Sequence, residues 1–108
     1  MELKRVVVTG LGAVTPVGNS PEETWQNLVA GKSGAAPITQ FDTTNFKTKF
    51  ACEVKNLNVC DYLDRKEVRK MDRYTQLAMI SAIQGVKDSG LDLETVDKSR
   101  IGVVYGVG

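Results

Sequence analysis

At 108 residues the chain is long enough for one small domain, and its 42% hydrophobic and 25% charged residues are an ordinary globular mix. Fourteen Lys and Arg against thirteen Asp and Glu leave a net charge of +1, so no global field draws in nucleic acid or an anionic membrane. With no histidine present and Cys52 and Cys60 too far apart for a C-x-x-C pair, a Cys/His zinc site and a Cys-His dyad are excluded within these residues.

The first element expected is a buried strand in "LKRVVVTG", because its apolar run is continuous rather than alternating. "NSPEETWQNLVAGKSG" reads as a helix. Ser20 caps it, Pro21 takes the first helical position, Glu23 completes an S-x-x-E box and Gly31 closes it in a left-handed conformation. Trp25, Leu28 and Val29 share one face, expected to pack on a sheet. "FKTKFACEVK" alternates and is expected as a half-exposed strand, with Phe50, Cys52 and Val54 on its apolar side and Lys49, Glu53 and Lys55 opposite.

A polar helix is expected from about Leu63 to Met71, followed by the strongest helix of the chain in "DRYTQLAMISAIQGVKDSG". Asp72 stands at its start and Gly90 at its end. Apolar residues wrap more than one of its faces, so it is expected to be buried in something larger. "RIGVVYGVG" reads as a last apolar strand running into glycines, and that ending makes the chain expected to be a segment of a longer protein. No repeat, low-complexity tract or linker divides residues 1–108, so they form one unit without an internal boundary. The short valine run behind Lys4 and Arg5 is no signal-peptide core, and the uncharged run Tyr74–Val86 is interrupted by Gln and Ser. A cytoplasmic protein without a membrane partner is expected.

Gly10, Gly12 and Gly18 raise the question of a phosphate loop. A dinucleotide fingerprint wants a third glycine where Thr15 stands, and an acidic residue at a strand end about 20 positions on, where the loop "GKSGAAP" lies instead. Lys32 and Ser33 also lack the glycine spacing of a P-loop. The turn is read instead as a device that bends the backbone sharply out of a strand.

The two thiols are poor nucleophiles. Cys52 is expected in register with Phe50 and Val54 as a small hydrophobe, and Cys60 lies beside Asp61 in an irregular stretch with no basic partner next to it. Charge gathers in "RKEVRKMDR", where residues 65 to 73 carry five positive and two negative groups. At 100° per residue, Lys66, Arg69, Lys70 and Arg73 fall within one sector of about 100°, with Val68 and Met71 pointing away. From spacing alone this is first a solvated helix face, with Glu67 and Lys70 as a local pair.

Taken in order, "VVVTGLGAVTPVGNS", "TWQNLVAGKSG", "ITQFDTTNF", "RKEVRKMDRYTQLA", "DSGL" and "RIGVVYGVG" resemble the N-terminal portion of the β-ketoacyl-[acyl carrier protein] synthases, most of all the elongating type II enzymes of bacterial fatty acid synthesis. The resemblance implies a thiolase-like α/β fold and a homodimer. It also implies decarboxylative condensation of acyl and malonyl groups held on acyl carrier protein. The catalytic cysteine and two histidines of the family would lie beyond residue 108, leaving no catalytic residue in this chain, and no cofactor or metal is implied. Basic residues at the positions of Lys66, Arg69 and Lys70 would dock the acidic carrier, and Gly106 and Gly108 would lie near the acyl channel. Two rivals stand beside this reading: a non-catalytic chain-length partner subunit, and a nucleotide-binding module built on Gly10 and Gly12.

Overall fold

A computed structural model describes residues 1–107, so the expectation placed on Gly108 lies outside the described residues. In chain order the elements are helix α1 (Pro21–Val29), strands β1 (Ala35–Pro37) and β2 (Phe50–Cys52), a 3-10 turn at Val59–Asp61, helix α2 (Arg65–Val68), helix α3 (Arg73–Ser89) and a 3-10 turn at Lys98–Arg100.

The start of α1 follows its local signals. Ser20 has extended backbone and its hydroxyl accepts from the Glu23 amide at 3.2 Å, while the Glu23 carboxylate reaches back to the Asn19 amide at 2.7 Å. The helix ends in a Schellman arrangement: Gly31, at φ +69°, donates to Leu28 and Lys32 donates to Asn27. Its apolar face does not meet a sheet. Trp25 is 68% exposed, and Leu28 and Val29 are open as well.

The small sheet is antiparallel, pairing Ala35 with Cys52, Ala36 with Ala51 and Pro37 with Phe50. It is narrower than the expected strand over 46–55, and its partner lies inside the stretch read as the loop "GKSGAAP". Its faces are also reversed from expectation, since Phe50 and Cys52 are exposed and Ala51 is half-buried. Lys55 turns inward, where its ammonium donates to the carbonyls of Gly34 at 2.6 Å, Glu53 at 3.0 Å and Pro16 at 3.4 Å. The Lys55 carbonyl in turn accepts from the Asn19 side-chain amide at 2.9 Å, so this lysine ties the end of the glycine turn to the sheet.

The strands expected at Val6–Thr9 and Ile101–Tyr105 are not formed. Among the described residues neither segment has a pairing partner, and their valines are exposed. Among the described residues only Val59 and Ile80 are buried apolar residues, Ile80 completely so, and α3 is therefore less covered than its composition leads one to expect. The radius of gyration is 17.3 Å, against about 13 Å for a self-contained domain of this length. No helix among the described residues is long and apolar enough to cross a membrane.

Candidate functional site

The basic segment is built by two short structural punctuations. Asp64 caps α2, its carboxylate accepting from the Lys66 amide at 2.7 Å. The helix ends at Val68, earlier than the expected Met71, because Asp72 opens α3 with extended backbone; its side chain makes no cap hydrogen bond, although its carbonyl accepts the Gln76 amide at 3.1 Å. Arg69 keeps helical dihedrals as the C-cap, and Lys70 closes a tight turn by donating to the Glu67 carbonyl at 2.9 Å. A single helical projection through Arg73 therefore breaks at 69–72, and Arg73 belongs to α3.

Lys66, Arg69 and Lys70 are all exposed, while Val68 and Met71 are half-buried beneath them. The Lys70 ammonium meets the Glu67 carboxylate at 3.3 Å with both side chains largely in solvent. Such a pair contributes little to stability. What the segment offers is a positive surface held over an apolar footing. Nothing in the local sequence marks Gln76, yet its side-chain amide donates to the carbonyls of Val68 and Met71, each at 3.2 Å.

The glycine turn is occupied by protein. The Leu11 amide donates to the Asp88 carboxylate at 2.9 Å, and the Ala13 amide donates to the Gln84 side chain at 3.0 Å. Amides that a phosphate would need are thus taken, and a carboxylate stands where an anion would have to sit. Gly10 and Gly12 lie directly on the backbone of α3: a Cβ on Gly12 would come within 2.7 Å of the Gly85 nitrogen. The turn serves close packing, which is the use of glycine that needs no ligand.

Cys52 and Cys60 are both free and exposed, so the burial expected of Cys52 is not found. The face it was placed on is open because Phe50 beside it is uncovered. Gly106 lies in an exposed segment with nothing within 4 Å of where a side chain would begin.

An α/β segment with a glycine turn locked onto a helix, two unpaired apolar segments at its ends and one exposed basic turn has the parts of the N-terminal region of a condensing-enzyme fold. Residues 3–108 match the family described as "Beta-ketoacyl synthase, N-terminal domain", and the chain belongs to that family. It is 48% identical over 108 residues to 3-oxoacyl-[acyl-carrier-protein] synthase 2 of Coxiella burnetii, covering all of this chain and 26% of that protein. The synthase 2 of Vibrio cholerae is 46% identical over the same length and share. That of Staphylococcus aureus strain COL is 46% identical over 105 residues, 97% of this chain and 25% of the relative. Among solved structures, the ishigamide ketosynthase/chain length factor is similar at 38% identity with a TM-score of 0.75, over 82% of this chain and 22% of the other. The chain thus spans about a quarter of the length of the curated relatives it matches.

Proposed function

We propose that residues 1–108 are one undivided N-terminal segment of a 3-oxoacyl-[acyl carrier protein] synthase II. The complete enzyme would elongate fatty acyl chains by decarboxylative condensation of acyl and malonyl groups on acyl carrier protein, with its cysteine and two histidines in the part that follows. It would work in the cytoplasm as a homodimer. In this reading Lys66, Arg69 and Lys70 dock the acidic carrier, and Gly106 and Gly108 lie near the acyl channel.

The observation that carries the reading is the match to named synthases along the whole chain at 46–48% identity, joined to an exposed basic turn on a nearly neutral chain. The relatives' names favour an elongating synthase over a chain-length partner. Surface charge of this kind speeds encounter with an acidic partner more than it tightens the final complex.

The test compares carrier-bound with small thioester substrates in a complete synthase carrying this segment. Lys66→Glu, Arg69→Glu and Lys70→Glu should each impair use of carrier-bound acyl groups while small thioesters react as before, and the difference should shrink as salt rises. Arg69 should be most sensitive if it meets a carboxylate or phosphate bidentately. Equal loss with both substrates would mean that the changes damage the fold or the active site, and unchanged kinetics with both would return the turn to a plain solvated surface.

A further inference from the structure

Resting on the docking reading above, we propose that Gln76 is the positioning residue of the basic face: by joining the Val68 carbonyl at the end of α2 and the Met71 carbonyl of the following turn to α3, it sets how Lys66, Arg69 and Lys70 are presented to the carrier.

The need for such a residue follows from the size of α2. Four residues are far below the length at which a helix holds itself together, and each helix end leaves carbonyls without intrahelical partners. Here the Val68 carbonyl receives only a long bond from the Met71 amide, at 3.3 Å. The Gln76 side chain supplies the missing donor to Val68 and serves the Met71 carbonyl as well, both at 3.2 Å. Among the described residues these two are the side-chain hydrogen bonds that join α2 and its following turn to α3.

Gln76 stands between the short charge-bearing segment and the long helix that supports it. It sits in the first turn of a 17-residue helix, where its own amide is already bonded to Asp72. Its side-chain oxygen faces the Arg73 guanidinium at 3.5 Å, which leaves the nitrogen toward the carbonyls. The bonds are partly buried, and the three basic side chains project to solvent from the backbone they hold. Removing the donor changes no charge on the surface, so attraction at a distance survives while the arrangement met on contact does not.

The experiment uses the complete synthase with Gln76→Met, which keeps length and helix propensity but donates nothing, and Gln76→Glu, which puts a carboxylate against the two carbonyls. KM for carrier-bound substrate should rise about three- to tenfold, the effect of one or two lost net hydrogen bonds. The kcat and the use of small thioesters should move less. In Gln76→Met, which leaves every surface charge in place, the salt dependence of that KM should match the parent enzyme, whereas in Arg69→Glu it should flatten. An unchanged carrier KM in both Gln76 variants, with Arg69→Glu still impaired, would overturn the role of Gln76 and leave docking intact. An Arg69→Glu enzyme without any carrier defect would overturn docking and this inference together. Loss shared by both substrate types, including failure to fold, would make Gln76 a general support and overturn it as well.

Discussion

The side chain of Gln84 holds the backbone of Ala13: its oxygen accepts the Ala13 amide at 3.0 Å, while its nitrogen donates to the Asn19 carbonyl at 2.7 Å. One amide thereby spans the glycine turn from both sides and fixes it to α3. Asp88, one helical turn on, does the same for Leu11. Backbone groups in a sharp bend need partners, and here a helix supplies them in place of a ligand.

That interface is asymmetric toward added methyl groups, which yields a paired prediction. A Cβ on Gly12 would be driven into the Ser81 carbonyl and the Gly85 nitrogen, backbone that cannot move without shifting α3. On Gly85 it would sit 3.6 Å from the Gly12 nitrogen, an ordinary contact. Gly12→Ala should therefore destabilise by about 1–3 kcal/mol or more through overpacking. Gly85→Ala should be neutral or gain up to about 1 kcal/mol from helix propensity. Chemical denaturation of both variants in a complete synthase checks the contrast, and equal effects would refute this account of the turn.

What could be read in advance was what is local. Ser20, Glu23 and Gly31 act within a few residues of themselves, so α1 and its two ends were legible, as was the left-handed Gly90, at φ +66°, closing α3. The basic cluster was legible as charge, but its division between α2 and α3 was not, because Asp72 restarts the backbone in the middle of an unbroken-looking pattern. Val6–Thr9 and Ile101–Tyr105 have strand composition without strand structure, since a strand exists only with a partner and composition does not contain one. Lys55, Gln76, Gln84 and Asp88 reach partners as far as 39, 8, 71 and 77 positions away in the sequence, respectively, and nothing in their neighbours marks them.

The exposed apolar surface sets the behaviour of the 108-residue chain alone. Trp25, Phe50, Val103 and Tyr105 all stand in solvent, and such surface promotes association. The isolated chain should self-associate with concentration, bind an apolar dye and melt without a sharp transition. With no histidine it should also show no condensation of acyl and malonyl groups on carrier protein. Sedimentation, calorimetry and a condensation assay examine these together. A sharp cooperative melt of a monomer, or thiol-dependent condensation, would contradict the reading.

An acid-sensitive latch lies at the edge of the sheet. Glu53 accepts from the Thr39 hydroxyl at 2.8 Å and from the Thr39 amide at 3.2 Å, and the hydroxyl bond foremost holds its carboxyl below the ordinary range. A depressed folded value means that the stabilisation is present above the unfolded carboxylate range, about pH 4 to 5, and is lost as pH falls through the lower folded value. Thr39→Val removes the hydroxyl bond and should raise the Glu53 pKa. The stability difference between parent and variant should be constant near neutrality and vanish in acid. A difference that persists at pH 2 would assign the effect of Thr39 to packing.

Glu67 offers a test of the basic face that adds function instead of removing it. Its carboxylate holds the Lys70 ammonium at 3.3 Å, so one of the three proposed docking cations is partly neutralised where it stands. Glu67→Gln would raise the local excess over residues 65–73 from +3 to +4 and free Lys70 to meet a carboxylate or phosphate on the partner. The fold should hardly notice, because an exposed pair three residues apart contributes no more than about 0.5 kcal/mol. If the face docks an acidic carrier, KM for carrier-bound substrate should fall and its dependence on salt should steepen, with the change confined to ionic strengths at which charges about 8 to 10 Å apart still act on each other. Small thioesters should react at the parent rate. A KM that stays fixed while the melting temperature also stays fixed would mean that Lys70 meets no partner, and a KM that rises would mean that Glu67 itself makes a contact the positive residues do not.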